Sequence, residues 1–233
     1  MKRLSQIWLA FLTALWIAGT SGCAALSRTV GLDRTAGASL GDPSARPDEL
    51  PKAQTMQVCL TTAEQLAIQG HAREAALLYE RARGIDPNAI NYSRRLAGLY
   101  DLQGDLPKAA TEFQAALATS PDDADLLNDF ACFLDRQGKH AEAEQHLQHA
   151  LQAAPQHQRA LTNLGIVLAH QNRYQESFDA FAAAVGPAAA HSNVGMLLAR
   201  QGKTEDAKAA FSTSLRIDPD LAQAQAGAEY VGQ

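Results

Sequence analysis

The chain has 233 residues, 46% of them hydrophobic, with only 6% aromatic and a formal charge of −5. Removing residues 1–22, which hold Lys2 and Arg3 and no acids, leaves 18 basic against 25 acidic residues, or −7. A mildly acidic body without a Lys/Arg-rich patch excludes nucleic acid as the expected partner, and the abundance of Ala, Leu and Gln favours helix throughout.

The amino terminus reads as an export signal. Two positive charges in "MKRLSQ" precede the twelve-residue run "IWLAFLTALWIA", Ile7 to Ala18, and the small residues "GTSG" then lead to Cys23. A charged start, a short apolar stretch and small residues describe a secretory signal, and the run is shorter than the roughly 20 residues of a membrane-spanning helix. With the cysteine directly after Ser21 and Gly22, the segment resembles a bacterial lipoprotein signal, although Thr20 stands where Leu is usual. The resemblance implies cleavage after residue 22, acylation of Cys23 and attachment to a lipid bilayer. By the same resemblance, Ala24 in place of the Asp of inner-membrane retention implies the outer membrane and a periplasm-facing body.

Residues 23–53 are scattered Gly, Ser, Pro, Asp and Arg without a sustained apolar period. Such a stretch buries too little to offset its ordering entropy and reads as a flexible tether.

From residue 54 onward one period governs the text. Pro87, Pro121 and Pro155 lie 34 residues apart, as do Gly70, Gly104 and Gly138, with Asn172 next in that column. Ala75, Ala109, Ala143 and Ser177 repeat the spacing, and so do Ala82, Ala116, Ala150 and Ala184. Each unit reads as two apolar-periodic helices broken by a turn at the glycine and stopped by the proline. Small residues let the helices approach, while Tyr79, Phe113, Leu147, Phe181 and Phe211 fill the space between units. A single hairpin cannot bury its own apolar face, but a stack can.

The period and the text "NLGIVLAHQNRYQESFDAFAAAV" resemble the tetratricopeptide repeat (TPR) family. The resemblance implies an all-α, right-handed α-solenoid superhelix of about five helix-turn-helix units within residues 54–221. Their bounds are 56–89, 90–123, 124–157, 158–187 and 188–221, and residues 222–233 form a capping segment. Gly165 to Gly195 spans 30 residues instead of 34, so about one helical turn is missing before the fifth unit, and a tighter joint is expected there.

In this family the first helices line a concave face, where the sixth residue of a unit is often an Asn that grips a ligand backbone. That places Asn163 and Asn193 in the groove, with Asp129 and Arg95 at the same position, and Asn128, Thr162, Ile166, Ser192 and Met196 nearby. Amides offer a donor and an acceptor to a peptide main chain, so a protein or peptide partner is expected. Asp101, Asp125, Asp129 and Asp135 beside Arg94 and Arg95 favour a basic partner segment if they stand free. The Lys/Arg pattern of the family's carboxylate-clamp version is missing.

Catalytic signatures are missing too: there is no GxSxG, HExxH, phosphate loop or dinucleotide fingerprint. No enzyme activity, catalytic residue, cofactor or metal is expected. A rival reading takes Glu142, His146 and His149, one stripe of a helix, as ligands of a metal-dependent accessory enzyme. The odd, widely spaced cysteines make no disulfide framework, and Cys59 and Cys132 read as small core residues. The layout of signal, cysteine, tether and repeats resembles the small TPR lipoproteins of type IV or tight-adherence pilus assembly. An envelope adaptor for peptidoglycan enzymes or proteases is the alternative within the same class.

Overall fold

The computed structural model describes residues 50–89 and 91–232. The signal segment, Cys23 and nearly all of the expected tether lie outside them. Eleven α-helices and no strand are present among the described residues, running α1 (Lys52–Ile68), α2 (Ala72–Ile85), α3 (Tyr92–Leu102), α4 (Leu106–Thr119), α5 (Ala124–Arg136) and α6 (His140–Ala153). They continue with α7 (Gln158–His170), α8 (Tyr174–Val185), α9 (Pro187–Arg200), α10 (Thr204–Ile217) and α11 (Ala222–Gly232). Among the described residues no helix is long and apolar enough to cross a membrane.

Each odd-numbered helix up to α9 packs as a hairpin against the helix that follows, and each pair then packs on the next. The hairpin turns need a backbone with positive φ, which Gly70, Gly104, Gly138 and Gly202 supply at φ between 74° and 83° because glycine lacks a Cβ. Asn172 takes the same place at φ 62°, the non-glycine residue that tolerates it best. The second helices end where Asp86, Ser120, Ala154 and Asp218 leave the helical region, Asp86 and Asp218 becoming extended, as the proline that follows each of them favours.

The first helices α3, α5 and α7 start on side-chain caps. Asn91, Asp105, Asp123 and His157 accept hydrogen bonds from the backbone N–H three residues on, although Asp105 caps the second helix of its pair. Ala75, Ala109, Ala143 and Ser177 are fully buried at the helix contacts, and Tyr79, Phe113, Leu147, Phe181 and Phe211 fill the space above them. Each such large side chain contributes about 1.5–3 kcal/mol by leaving water. The buried apolar residues form two clusters, one from Cys59 to Val167 and one from Phe181 to Ala224.

The missing turn is taken out of both a helix and a connection. The 12-residue α8 is two residues shorter than the 14-residue α6. One residue, Gly186, joins α8 to α9, where residues 154–157 join α6 to α7. The Gly186 N–H donates to Ala182 O at 3.0 Å while its own carbonyl accepts from Ala190 N at 3.0 Å, so one residue closes one helix and opens the next. Its φ of 83° is open to glycine.

Candidate interaction groove

The odd-numbered helices also touch one another in series, α3 to α5, α5 to α7, α7 to α9 and α9 to α11. They form one wall, and on it α1, α3 and α5, with Arg159 of α7, frame an open hollow of 780 Å³. Its floor is apolar, with Ala67, Gly98, Leu99 and Leu126. Ile68 and Leu102 also line it and stand 79% and 75% exposed at the ends of α1 and α3. A scattered exposed Leu carries no message, but these two share one concavity.

Charged side chains frame this floor, and the structure pairs them. Arg95 reaches Glu64 of α1 at 3.9 Å, Arg136 pairs with Asp101, and Arg94 pairs with Asp123. Arg159 binds Asp129 at 2.7 Å and Asp125 at 3.3 Å. His157 meets Asp125 at 3.0 Å, and Asp135 lies between His140 and His170. Asp101 is therefore paired with Arg136, Asp125 and Asp129 share Arg159, and Asp135 is hydrogen-bonded by two histidines, so none of the four stands free and the case for a basic partner weakens. Half-exposed pairs of this kind contribute about 0–1 kcal/mol each, so they fix register and charge balance more than stability.

Of the residues expected in the groove, Arg95 and Asp129 line the hollow. Asn163 and Ile166 border a smaller pocket of 180 Å³ beside it, and Thr162 is half-buried on α7. Asn128 and Ser192 are corrected: both are fully buried and face the packed interior. Asn128 Nδ2 donates to Asp129 Oδ1 at 3.3 Å, while the Ser192 hydroxyl has no hydrogen-bond partner among the described residues. Met196 is half-buried against the C-terminal apolar cluster.

The sixth-position column bridges neighbouring helices. Arg95 points to α1 and Asp129 to α7, while Asn163 Nδ2 donates back to Asn128 Oδ1 of α5 at 2.8 Å and to Cys132 Sγ at 3.0 Å. Asn193 Oδ1 accepts from Gln223 Nε2 of α11 at 2.8 Å. These amides have partners within the fold, so they serve the joints between units. Burial, and then the Asp129 charge, push the Cys132 thiol up and keep it protonated, which makes it inert.

The histidine stripe does not converge. His146 packs tilted against Phe130 with centroids 4.8 Å apart, and His149 Nε2 turns to Asp122 Oδ1 at 2.8 Å. Burial lowers the His146 pKa from the usual histidine range, with His149 adding and Glu142 opposing. The grouping that does converge joins Asp135, His140 and His170. Sequence reading missed it because three helices supply its members. The nearest sequence signal is the 35-residue step from Asp135 to His170, one period plus one.

A hollow built from consecutive first helices belongs to an all-α helical-repeat solenoid. Residues 93–196 match the family model of the cilia and flagella-associated protein 70 middle TPR-like domain, and residues 188–221 match the tetratricopeptide repeat model. No curated protein matches the chain. A tetratricopeptide repeat protein from Parabacteroides merdae has the same fold at 17% identity and TM-score 0.61, covering 76% of this chain and 72% of its own. The pilF protein of Pseudomonas aeruginosa, at 18% identity and TM-score 0.56, covers 76% and 90%. YrrB, a TPR protein with an unusual peptide-binding site, is 20% identical at TM-score 0.56 and covers 77% and 98%. The chain has the TPR fold, and the matched models support that family. TPR proteins are in general protein–protein interaction scaffolds without enzyme activity of their own, and they bind protein or peptide partners.

Proposed function

We propose that this chain is a non-enzymatic scaffold of a bacterial envelope, whose concave groove receives an extended peptide or a partner helix. The observation that carries the reading is the hollow on α1, α3 and α5, where exposed Ile68 and Leu102 stand among arginines and carboxylates that already neutralise one another. Such a surface fits apolar anchor side chains at helical or extended spacing. Membrane attachment rests on the sequence alone: the basic start, the short apolar run and Cys23. Acyl chains contribute about 0.8 kcal/mol per buried methylene, which makes anchoring through several chains lasting. The proposed place is the outer membrane, facing the periplasm, and the proposed pathway is pilus or secretin assembly. That pathway is inferred from the layout of signal, cysteine, tether and repeats, and pilF shares the fold.

The test is in-cell crosslinking from a photoreactive residue at Leu102, with mass spectrometry of what is captured and acyl labelling of the Cys23→Ser variant. Capture of a secretin or pilus subunit supports the full reading. Capture of a peptidoglycan enzyme or protease keeps the scaffold and replaces the pathway. An intact chain that captures nothing from Leu102 overturns the groove, and acyl labelling that persists in Cys23→Ser overturns the lipid anchor.

A further inference from the structure

We infer that Asp135, His140 and His170 form a binding site for a divalent transition-metal ion, with zinc as the reference case. The site lies on the joint between the third and fourth helix pairs. Asp135 sits in the last turn of α5, His140 opens α6, and His170 closes α7. The tight turn at Gly138 brings His140 back over Asp135, and the repeat period sets His170 of the next first helix beside them.

The ligand atoms already converge. Asp135 Oδ1 lies 2.7 Å from His140 Nδ1 and 3.0 Å from His170 Nδ1, the imidazole centroids are 5.1 Å apart, and the three ligand atoms lie within 4.8 Å of one another. A tetrahedral zinc ion held at roughly 2.0 Å by each ligand sets neighbouring donors roughly 3.3 Å apart. The two Asp135–histidine spacings, 2.7 and 3.0 Å, fall short of that value, so the side chains part by about 0.3–0.6 Å to admit the ion. Each Nδ1 that donates to Asp135 Oδ1 presents its lone pair to an ion once its proton is carried on Nε2 instead.

The donor set selects the ion. Two imidazoles and a single carboxylate suit zinc, nickel or copper, whereas calcium and magnesium require oxygen ligands. Partial burial supports the geometry, because the Asp135 side chain is 14% exposed and the two histidines about a third. Three protein ligands leave a position for water or for a donor from a bound partner. The bound ion clips α5, α6 and α7 together. This inference stands apart from the groove and from the proposed pathway.

The full chain, purified in mild detergent without a histidine tag and stripped by chelator, is dialysed against zinc and analysed for retained metal. One zinc per chain is expected, and cobalt in its place is expected to give ligand-field absorption in the visible. Asp135→Asn and His170→Gln should each lose the metal with helical content retained, whereas His149→Gln should keep it. If Asp135→Asn loses helix, the more exposed His170→Gln decides. Failure of the unaltered chain to retain zinc, retention by His170→Gln, or loss in His149→Gln overturns the site.

Discussion

Asn163 of α7 donates its side-chain amide to the buried Asn128 Oδ1 of α5 at 2.8 Å, one repeat period and one residue away. A residue type that in this fold often reaches for ligand is here a tie between units. Asn163→Ala leaves the Asn128 carbonyl oxygen buried without this donor, and such a loss costs about 1–3 kcal/mol. Urea denaturation of the variant should show a lower midpoint. An unchanged midpoint with weakened partner binding would return Asn163 to the groove.

Ser192 predicts the opposite sign. Its hydroxyl is fully buried and lacks a hydrogen-bond partner among the described residues. Burying an unpaired hydroxyl costs about 1–3 kcal/mol on the scale set by protein mutations, so Ser192→Ala should stabilise the fold. A rise in the thermal midpoint checks this, and a fall would reveal a partner for the hydroxyl.

Two glycines separate helix propensity from packing. Alanine is favoured over glycine in a helix by about 1 kcal/mol. A Cβ on Gly84 of α2 meets nothing within 4 Å, so Gly84→Ala should raise the melting midpoint. A Cβ on Gly227 of α11 would lie 2.3 Å from Cε1 of the fully buried Phe211. Overpacking costs about 1–3 kcal/mol, which outweighs the propensity gain, and Gly227→Ala should lower the midpoint.

Tyr100 ties stability to alkaline pH. Its hydroxyl donates to Glu80 Oε1 at 2.9 Å, and Arg83 bridges Glu80 and the buried Glu112. Burial, then the hydrogen bond and charge of Glu80 and the charge of Glu112, push the Tyr100 pKa up to about 12 against the opposing pull of Arg83. The native state therefore holds this proton more tightly than the unfolded chain, which releases it near pH 10. The resulting stability is fully present below about pH 10 and is lost as pH climbs towards about 12. Denaturation midpoints over that range should fall, and less steeply in Tyr100→Phe. Tyr79 and Tyr92, raised mainly by burial, add to the same slope. Equal slopes in both proteins would remove Tyr100 from the account.

The fold class was legible because a 34-residue period writes each contact several times over: Ala75, Ala109 and Ala143 report one position, and each is fully buried. The groove was legible only as a face. What Asn163 or Asn193 bonds to depends on one side chain in a neighbouring unit, Asn128 or Gln223, and nothing in the local pattern reports it. The aspartates misled for the same reason, since Asp101 is neutralised by Arg136 of the next first helix. Ile68 and Leu102 drew no notice as ordinary helix-end residues until α1 and α3 set them over one hollow. Residue type in a periodic chain predicts burial well and pairing poorly, because burial follows the period and pairing follows the exceptions to it.

Gly186 bears on how this chain tolerates changes in length. Residues 120–123 and 154–157 connect helices that each finish or begin on their own hydrogen bonds, so extra residues there extend a surface turn. At Gly186 the amide belongs to α8 and the carbonyl to α9. An added residue would have to surrender one of those bonds and swing every helix after it to a new bearing. The junction therefore has no slack, and insertions or grafted segments belong at the other elbows.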